Sequence, residues 1–376
     1  MTLRTAVVGA GVVSSQHLSG LEQNPLVDLV AVCDLDEVLA REKAREYGIK
    51  AYFDVDELLK AEQLDWIHLC TPVQTHRDLA LTAIEHGVDV QIEKPATVTV
   101  EELEEIEAAA DERDVTVTVV RNHLFSISVR EARERIEAGD LGAIRGVDVI
   151  ATGKTAPDEQ NRGAWAFELP GGEFQEGIPH QIYVALGLGG YPRSSDDVHA
   201  TTSRFGEYDE GFTFDGLQLQ WVTDDDVLCS VKLMAGAVPK RELLIHGEEK
   251  SLVIDLLSET TIELDRDYAA SPVARGLSNV DHALGRFEGS LDHAKGMVER
   301  RFSSDWETEK HWDSHFYQFH EEAEALLTDD EPPFSLEQAK WTIELIELVE
   351  KASEVRDERP VASPPTKSTP SRSVTD

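Results

Sequence analysis

The 376 residues include 73 acidic and 35 basic side chains, so the formal net charge is −38. A surface this acidic argues against nucleic acid or an anionic membrane as a partner, because both repel negative charge. The 41% hydrophobic content is enough to form hydrophobic cores, and the length predicts two domains. No apolar run approaches the ~20 residues of a membrane-spanning helix.

The acidic excess also favours a particular environment. At low salt such a surface repels itself, whereas at molar salt the Debye length falls to ~3 Å and screens the repulsion. We expect a cytoplasmic protein from a salt-rich cell, as in halophiles; an ordinary acidic protein is the alternative. The first residues lack the pattern of a signal peptide. Cys33, Cys70 and Cys229 lie far apart and no HExxH occurs, so neither disulfides nor a metal site is expected.

The first 120 residues alternate strand-like and helix-like patterns. This alternation predicts a parallel sheet with helices on both faces. The predicted strands are Thr5–Val8, Leu29–Cys33, Trp66–Cys70, Val88–Ile92 and Val115–Val120. The predicted helices are Ser15–Gln23, Glu37–Tyr47, Val55–Ala61, Arg77–His86 and Val100–Glu112, followed by Val129–Ala138.

After about residue 143 the pattern changes to consecutive strands, which predict an antiparallel or mixed open sheet. The runs that carry this pattern are IRGVDVIATGK, VHATTSRF, FDGLQLQWV, VLCSVKLMAG and the pair ELLIHG and SLVIDLL. Helices are predicted at Phe174–Leu188, His282–Arg301, Trp312–Leu327 and Leu336–Ser353. The predicted units are 1–122, a nucleotide-binding domain, 123–355, a substrate and oligomerisation domain, and 356–376, a disordered tail rich in Pro, Ser and Thr.

A nucleotide site is predicted at the first βα turn, AVVGAGVVSSQH. Gly9 permits the tight turn and Gly11 lets a pyrophosphate approach the helix N-terminus, with Val12 and Val13 beside it. Asp34 ends the second strand, where its carboxylate can bind ribose hydroxyls and would repel a 2′-phosphate. We therefore predict NAD, with NADP as the alternative; a βα turn that binds no nucleotide is the other interpretation.

Three further motifs make a family resemblance specific: CTPVQTH after the fourth strand, EKP after the fifth, and PGGEFQEGIPH in the second domain. Together with GAGxxSxxH they resemble the glucose-fructose oxidoreductase, inositol dehydrogenase and rhizopine-catabolism family, Gfo/Idh/MocA. The resemblance spans about residues 3–355. It implies an N-terminal Rossmann domain with a doubly wound parallel sheet, then an α/β domain with a large, mostly antiparallel open sheet. It also implies hydride transfer to or from a carbinol carbon of sugars, cyclic polyols or nucleotide sugars.

The resemblance also assigns roles in the first domain. Thr71 and Pro72 would form the loop beneath the nicotinamide, with His76 entering the next helix. Glu93 and Lys94 follow a strand at the edge where such sheets present ligands. Lys94 is expected to approach both the nicotinamide and the reacting hydroxyl, and a solvated lysine before a turn is the alternative.

In the second domain Glu176 and His180 are four residues apart, which would place them on one helix face. The family's motif has Asp where this chain has Glu176. A histidine can accept the proton lost as hydride leaves, so we predict that His180 is the base, Glu176 holds its imidazole, and Lys94 polarises the oxygen. Many relatives have an acid where this chain has Tyr183, which we take as a substrate-binding candidate. The alternative is a surface Glu–His pair.

Further substrate-binding candidates are Asn122 and His123 after the sixth strand, and Arg162 and Trp165 in a Gly-rich loop. A structural role is equally compatible with the sequence for each of these four. His311, His315 and Tyr317 lie on a late helix whose face the pattern does not orient.

The favoured function is an NAD(P)-dependent dehydrogenase acting on a sugar or polyol. The alternatives are an enzyme that uses bound NAD transiently in glycoside cleavage or epimerisation, and a nucleotide-binding regulator without turnover. An exposed apolar face of the second sheet would form a homodimer or a tetramer. Residues 266–310 look longer than in simple relatives, and we expect a cleft cover or an oligomer contact there.

Overall fold

The computed structural model gathers the strands of the chain into a six-stranded and a seven-stranded sheet. It describes residues 2–161, 163–208, 211–265, 271–302 and 305–357. Arg162 and almost all of the predicted tail lie outside the described residues. Within these ranges, no helix is both long and apolar enough to cross a membrane.

The first sheet is wholly parallel and has the strand order β3-β2-β1-β4-β5-β6. Its central strands are nearly continuous apolar runs because helices cover both faces. Five strands were predicted; the sixth, β3, is a three-residue edge strand too short and polar to stand out. The strands are β1 (Leu3–Val8), β2 (Val27–Cys33), β3 (Lys50–Tyr52), β4 (Trp66–Leu69), β5 (Asp89–Ile92) and β6 (Val117–Val119).

Side-chain caps set where several helices of this domain begin. Asp36, Asp54 and Thr99 each accept hydrogen bonds from backbone N–H groups of the first turn that follows, which satisfies donors that have no partner inside the helix. The helices are α1 (Ser14–Gln23), α2 (Glu37–Tyr47), α3 (Val55–Ala61), α4 (His76–Glu85), α5 (Val100–Arg113) and α6 (Ile127–Glu137).

The second sheet has the order β13-β12-β11-β7-β10-β9-β8, with β7 and β10 parallel and the other pairs antiparallel. Burial alternates along β10 because one face packs on helices and the other faces outward. The predicted mostly antiparallel open sheet is confirmed. Its strands are β7 (Ile144–Lys154), β8 (His199–Ser203), β9 (Gly216–Val222), β10 (Leu228–Ala235), β11 (Lys240–Gly247), β12 (Lys250–Asp255) and β13 (Thr260–Asp265).

The predicted single helix Phe174–Leu188 is wrong. The structure has α7 (Gly172–Glu176) and α8 (Pro179–Gly189) instead. Pro179 has no backbone N–H to donate and a fixed φ, so it starts a helix readily and interrupts one that is already running. Glu176 therefore ends one helix while His180 opens the next.

The last four helices are α9 (Pro272–Phe302), α10 (Trp306–Trp312), α11 (Ser314–Thr328) and α12 (Leu336–Asp357). Helix α11 returns to the first domain, where Phe319 and Ala323 join its core. Gly20 of α1 makes this approach possible, since a Cβ there would lie 2.8 Å from the Phe316 ring. The predicted division at residue 122 places α11 in the second domain and stays a prediction, while Phe319 and Ala323 of α11 pack against the strands of the first.

Candidate active site

The turn after β1 forms an open backbone cradle at the start of α1. Gly9 has φ +98°, and a Cβ on it would lie 2.6 Å from the carbonyl oxygen of Cys70, so only glycine fits there. A Cβ on Gly11 would meet nothing within 4 Å, and the neighbouring Val12 is 81% exposed while Val13 is half-buried. An accessible turn at a helix N-terminus has the form that binds a pyrophosphate.

Asp34 lies beside this cradle, directly after β2. One carboxylate oxygen accepts a hydrogen bond from Ala10 N–H (2.6 Å) and the other from Asp36 N–H (2.8 Å). A carboxylate has about four lone-pair positions, so both oxygens can still accept ribose hydroxyls. The Arg41 guanidinium pairs with Glu37 and covers the Phe53 ring at 4.4 Å. Because Arg41 already makes these two contacts, it is not placed to bind the 2′-phosphate of NADP, which agrees with a site for NAD.

His76 ties together the two loops predicted to hold the nicotinamide. Its buried ring lies 2.8 Å from the carbonyl oxygen of Thr71 and 3.1 Å from that of Pro95. Pro72 lies in the first loop, and the Lys94–Pro95 peptide bond is cis. His76 contacts backbone carbonyls, so its geometry is that of a residue that positions these loops.

Glu93 is buried and ends a chain of histidines behind the cleft. His17 Nε2 lies 2.8 Å from Glu93 Oε1, and His17 Nδ1 lies 2.8 Å from His68 Nδ1. Burial alone would raise the pKa of Glu93, but the hydrogen bond from His17 and the nearby positive charges lower it to about 2. The ionised carboxylate also accepts the backbone N–H of Lys94 (3.0 Å), and so it fixes the backbone of Lys94.

Lys94 forms a buried ion pair across the two domains. Its ammonium contacts Glu176 Oε1 and also donates to the Glu176 carbonyl oxygen at 3.3 Å. Both side chains are about 5% exposed. Lys154 donates to the carbonyl oxygen of Gly177 (3.3 Å), at the break between α7 and α8. The Lys94 ammonium is thus held beside the break that precedes α8, the helix that bears His180.

The second part of the site is a group of polar side chains around Tyr183. His180 Nδ1 lies 2.8 Å from the Tyr183 hydroxyl, which accepts the backbone N–H of His123 and donates to Asn122 Oδ1, both at 3.1 Å. Since Tyr183 has a single hydroxyl proton, His180 Nδ1 must be the donor in its bond. A neutral His180 then carries its lone pair on Nε2, where it can accept a proton.

The rings of His123 and His180 stack, with centroids 4.2 Å apart and planes at 14°. Burial, together with the positive charges of Arg241 and Lys154, lowers the pKa of His123 to about 3. Burial also lowers the pKa of His315, on the facing helix α11. A neutral His123 gives the His180 ring a flat, uncharged neighbour.

The structure therefore gives His180 a contact with Tyr183 and gives Glu176 an ion pair with Lys94; that Glu176 holds the His180 imidazole stays a prediction. His180 and Tyr183 are three residues apart, about one helix turn, so the sequence could have indicated this contact. Trp165 is half-buried in the predicted loop, and its carbonyl oxygen accepts from Gln74 Nε2 at 3.3 Å, which joins that loop to the nicotinamide side. His17 ends the GAGxxSxxH motif, which predicted no role for it, and the sequence holds no signal for Lys154.

Comparison with known proteins identifies the family. Residues 3–121 match the Gfo/Idh/MocA family described as "Oxidoreductase family, NAD-binding Rossmann fold", and residues 129–253 match the "GFO/IDH/MocA C-terminal domain". The chain belongs to the Gfo/Idh/MocA oxidoreductase family, and its first domain is an NAD-binding Rossmann domain.

Curated relatives match over part of the chain. The chain is 32% identical over 142 residues to scyllo-inositol 2-dehydrogenase (NAD(+)) of Bacillus subtilis, which is 37% of this chain and 42% of that protein. It is 32% identical over 144 residues to D-glucoside 3-dehydrogenase of Escherichia coli, 38% of this chain and 41% of that protein. The match thus spans less than half the length of these relatives.

Solved structures extend the likeness of fold to both domains. A levoglucosan dehydrogenase in complex with NADH superposes with a TM-score of 0.74 at 18% identity, covering 94% of this chain and 98% of that one. The WlbA dehydrogenase of Bordetella pertussis, in complex with NADH and UDP-GlcNAcA, gives 0.73 at 18% identity, covering 94% and 97%. The predicted fold class is confirmed.

Proposed function

We propose that this protein is an NAD-dependent dehydrogenase that interconverts a secondary alcohol and a ketone on a sugar, cyclic polyol or sugar derivative. The buried Lys94–Glu176 pair carries the proposal. It holds an ammonium group at the edge of the Rossmann sheet, beside the helix that presents His180. A protein that only bound the nucleotide would need neither the buried amine of the first domain nor the oriented imidazole of α8.

NAD, when bound, supplies the acceptor for the hydride that leaves the carbinol carbon. The hydroxyl proton must leave as well, and this chain provides the groups for it. Lys94 donates a hydrogen bond to the substrate oxygen, and His180 Nε2 accepts the proton. Tyr183 fixes the tautomer and Glu93 fixes the lysine. The products are a ketone, reduced NAD and one proton held by His180.

The test is a screen of aldoses, inositols and sugar acids with NAD and NADP in molar KCl, following the absorbance of the reduced nicotinamide. Lys94→Ala and His180→Ala should each lose ~10²–10⁴ in turnover and keep their affinity for NAD, because neither residue lies in the turn of Gly9 and Gly11. The matched controls are Lys60→Ala, at an exposed position of α3, and His86→Ala, at the exposed residue directly after α4.

Other outcomes of the screen point to other functions. Bound NAD that changes its redox state with no net accumulation of NADH would favour transient oxidation in glycoside cleavage or epimerisation. Tight NAD binding by the wild type with no turnover on any substrate class would favour a regulator. The oriented, proton-accepting Nε2 of His180 supports an enzyme over a regulator.

The proposal extends to the protein's surroundings and assembly. The net charge of −38 supports a salt-rich cytoplasm, and a melting temperature that does not rise between dilute buffer and molar KCl would contradict it. The outward face of the second sheet mixes polar residues such as Gln220 and Lys232 with apolar ones such as Leu228, which is 64% exposed. We propose sheet-to-sheet pairing through this face. The acidic surface supports the absence of nucleic acid and membrane partners, and no metal is expected.

A further inference from the structure

Helix α9 (Pro272–Phe302) carries a long apolar stripe on its exposed side, here called the α9 seam. Its side chains are between 52% and 72% exposed. The seam consists of Val273, Leu277, Val280, Leu284, Phe287, Leu291 and Val298, with the exposed Ala294 in the same series.

The spacing of the seam is that of a coiled coil. Successive members are four and three residues apart in strict alternation, from Val273 to Val298. A repeat of 3.5 residues keeps one face toward a partner that winds around the helix, whereas packing on an ordinary surface follows 3.6. The seam therefore favours a second helix over a flat surface.

The side of α9 that packs on the rest of the chain is a different one. A Cβ built on Gly289 would lie 3.1 Å from Thr260 of β13, and one built on Gly296 would overlap the ring of Trp312. These glycines are seven residues apart and lie about 200° around the helix from Phe287 and Leu291. The helix rests on its small residues and turns its large apolar residues outward.

Helix α9 is also poorly suited to stand without a partner. It contains four glycines, Gly276, Gly285, Gly289 and Gly296, and each lowers helix stability by about 1 kcal/mol relative to alanine. The seam exposes apolar area on the order of 700 Å² per chain, close to the ~800 Å² that each partner buries in a standard-sized interface. It exceeds the ~300–600 Å² of the largest patch on a typical monomer.

The charge of the helix favours a second copy of this chain as the partner. Two chains of net charge −38 repel each other, so a contact between them is least opposed where the local charge is not negative. Helix α9 has five basic and four acidic residues in a chain with 73 acidic against 35 basic. An identical helix supplies the same 3.5-residue repeat, and a two-fold axis lets the two seams face each other.

We propose that α9 pairs with α9 of a second copy of this chain through the α9 seam, as an intersubunit helical pair. This contact is made by α9, whereas the sheet contact proposed above is made by strand residues such as Leu228 and Lys232. A chain that makes both the α9 pair and the sheet contact would belong to a tetramer with two kinds of two-fold interface.

The first experiment compares Leu284→Glu/Leu291→Glu with a control on the same helix, Asn279→Glu/Arg286→Gln. Both variants make the chain more negative by two charges, but only the first alters the seam. Light scattering in 3 M KCl should give the seam variant half the mass of the wild type and leave the control unchanged. An unchanged mass for the seam variant overturns the proposal.

The second experiment replaces one seam residue at a time and does not depend on how the double variant folds. The native cysteines Cys33, Cys70 and Cys229 are buried, so a single introduced cysteine dominates oxidation. Cysteines placed one at a time at 277, 280, 284, 287 and 291 should give a disulfide-linked dimer at one or more positions, and Asn279→Cys should give none. Absence of cross-linking at all five positions overturns the proposal, as does flotation of a monomeric wild type with phosphatidylglycerol vesicles.

Discussion

Removing one member of the buried Lys94–Glu176 pair should lower the free energy of unfolding more than removing both members does. Glu176→Gln leaves the ammonium of Lys94 in a site where both side chains are about 5% exposed, and Lys94→Met leaves the carboxylate there. Breaking a buried pair on one side costs about 3–5 kcal/mol, whereas replacing both members with uncharged groups is often nearly neutral. The double variant Lys94→Met/Glu176→Gln should therefore recover most of the loss.

The assay is thermal unfolding in 3 M KCl. With about 2 °C per kcal/mol for a chain of this size, each single variant should melt roughly 5–10 °C below the wild type. The double variant should melt above both single variants. Glu168→Gln, an exposed carboxylate of the same segment, should stay within ~0.5 kcal/mol of the wild type and serves as the control.

Additive losses in the double variant would refute this reasoning. They would mean that each side chain stabilises the protein through other partners and that the pair itself carries little coupling energy. High salt sharpens the test, because molar KCl screens exposed ion pairs strongly and buried ones much less. The pair joins the two domains, so its loss should also lower the cooperativity of the unfolding transition.

Two further predictions concern the cofactor and the histidines. Asp34→Ser should weaken NAD binding by ~10–100-fold, equivalent to about 1.5–3 kcal/mol. Calorimetric titrations should also show a smaller preference for NAD over NADP in this variant. A wild type that binds NADP more tightly than NAD would contradict the role of Asp34. His123→Phe keeps a flat ring against His180 and should leave the shape of the pH profile of kcat/KM unchanged between pH 5 and 8, because the pKa of His123 is about 3. A limb that disappears from that profile in the variant would show that His123 titrates there.

The sequence predicted the first domain well because its signals are local. Strands such as β4 are continuous apolar runs, the helices carry caps such as Asp36 and Thr99, and the glycines of the first turn have few other uses. The edge strand β3 was missed because a strand of three residues is too short to show a periodic pattern. The two motifs that bring Lys94 and Glu176 together were both found, since each occupies a fixed place relative to a strand or a helix.

The partners within the site were less accessible to sequence reasoning. Residues four apart would share a helix face, which favoured a Glu176–His180 pair, but Pro179 starts a new helix between them and Lys94 reaches Glu176 from the other domain. The role of Tyr183 depends on Asn122 and His123, about sixty residues earlier in the chain. Contacts of this kind follow from the tertiary fold, which spacing alone does not encode.

Helix α11 connects the core of the first domain to the cleft, and one of its residues makes a final prediction about stability. Glu322 is 3% exposed and accepts a hydrogen bond from Gln318 at 2.8 Å. Burial raises the pKa of Glu322 to about 8, against hydrogen bonds from Gln318 and Gln91 that lower it. The native carboxyl thus keeps a proton that the unfolded chain loses above its ordinary pKa of 4.5. This contribution to stability is complete below about pH 4.5 and is lost as the pH rises toward 8, by at most ~1.4 kcal/mol per pH unit.

Glu322→Gln removes the ionisation and keeps an acceptor for Gln318, so its melting temperature should fall less steeply from pH 5 to 8.5 and exceed that of the wild type at pH 8. Glu331→Gln, exposed just beyond the helix, should retain the wild-type slope. Parallel slopes for Glu322→Gln and the wild type would mean that Glu322 is already ionised in the native state, held by its amide neighbours.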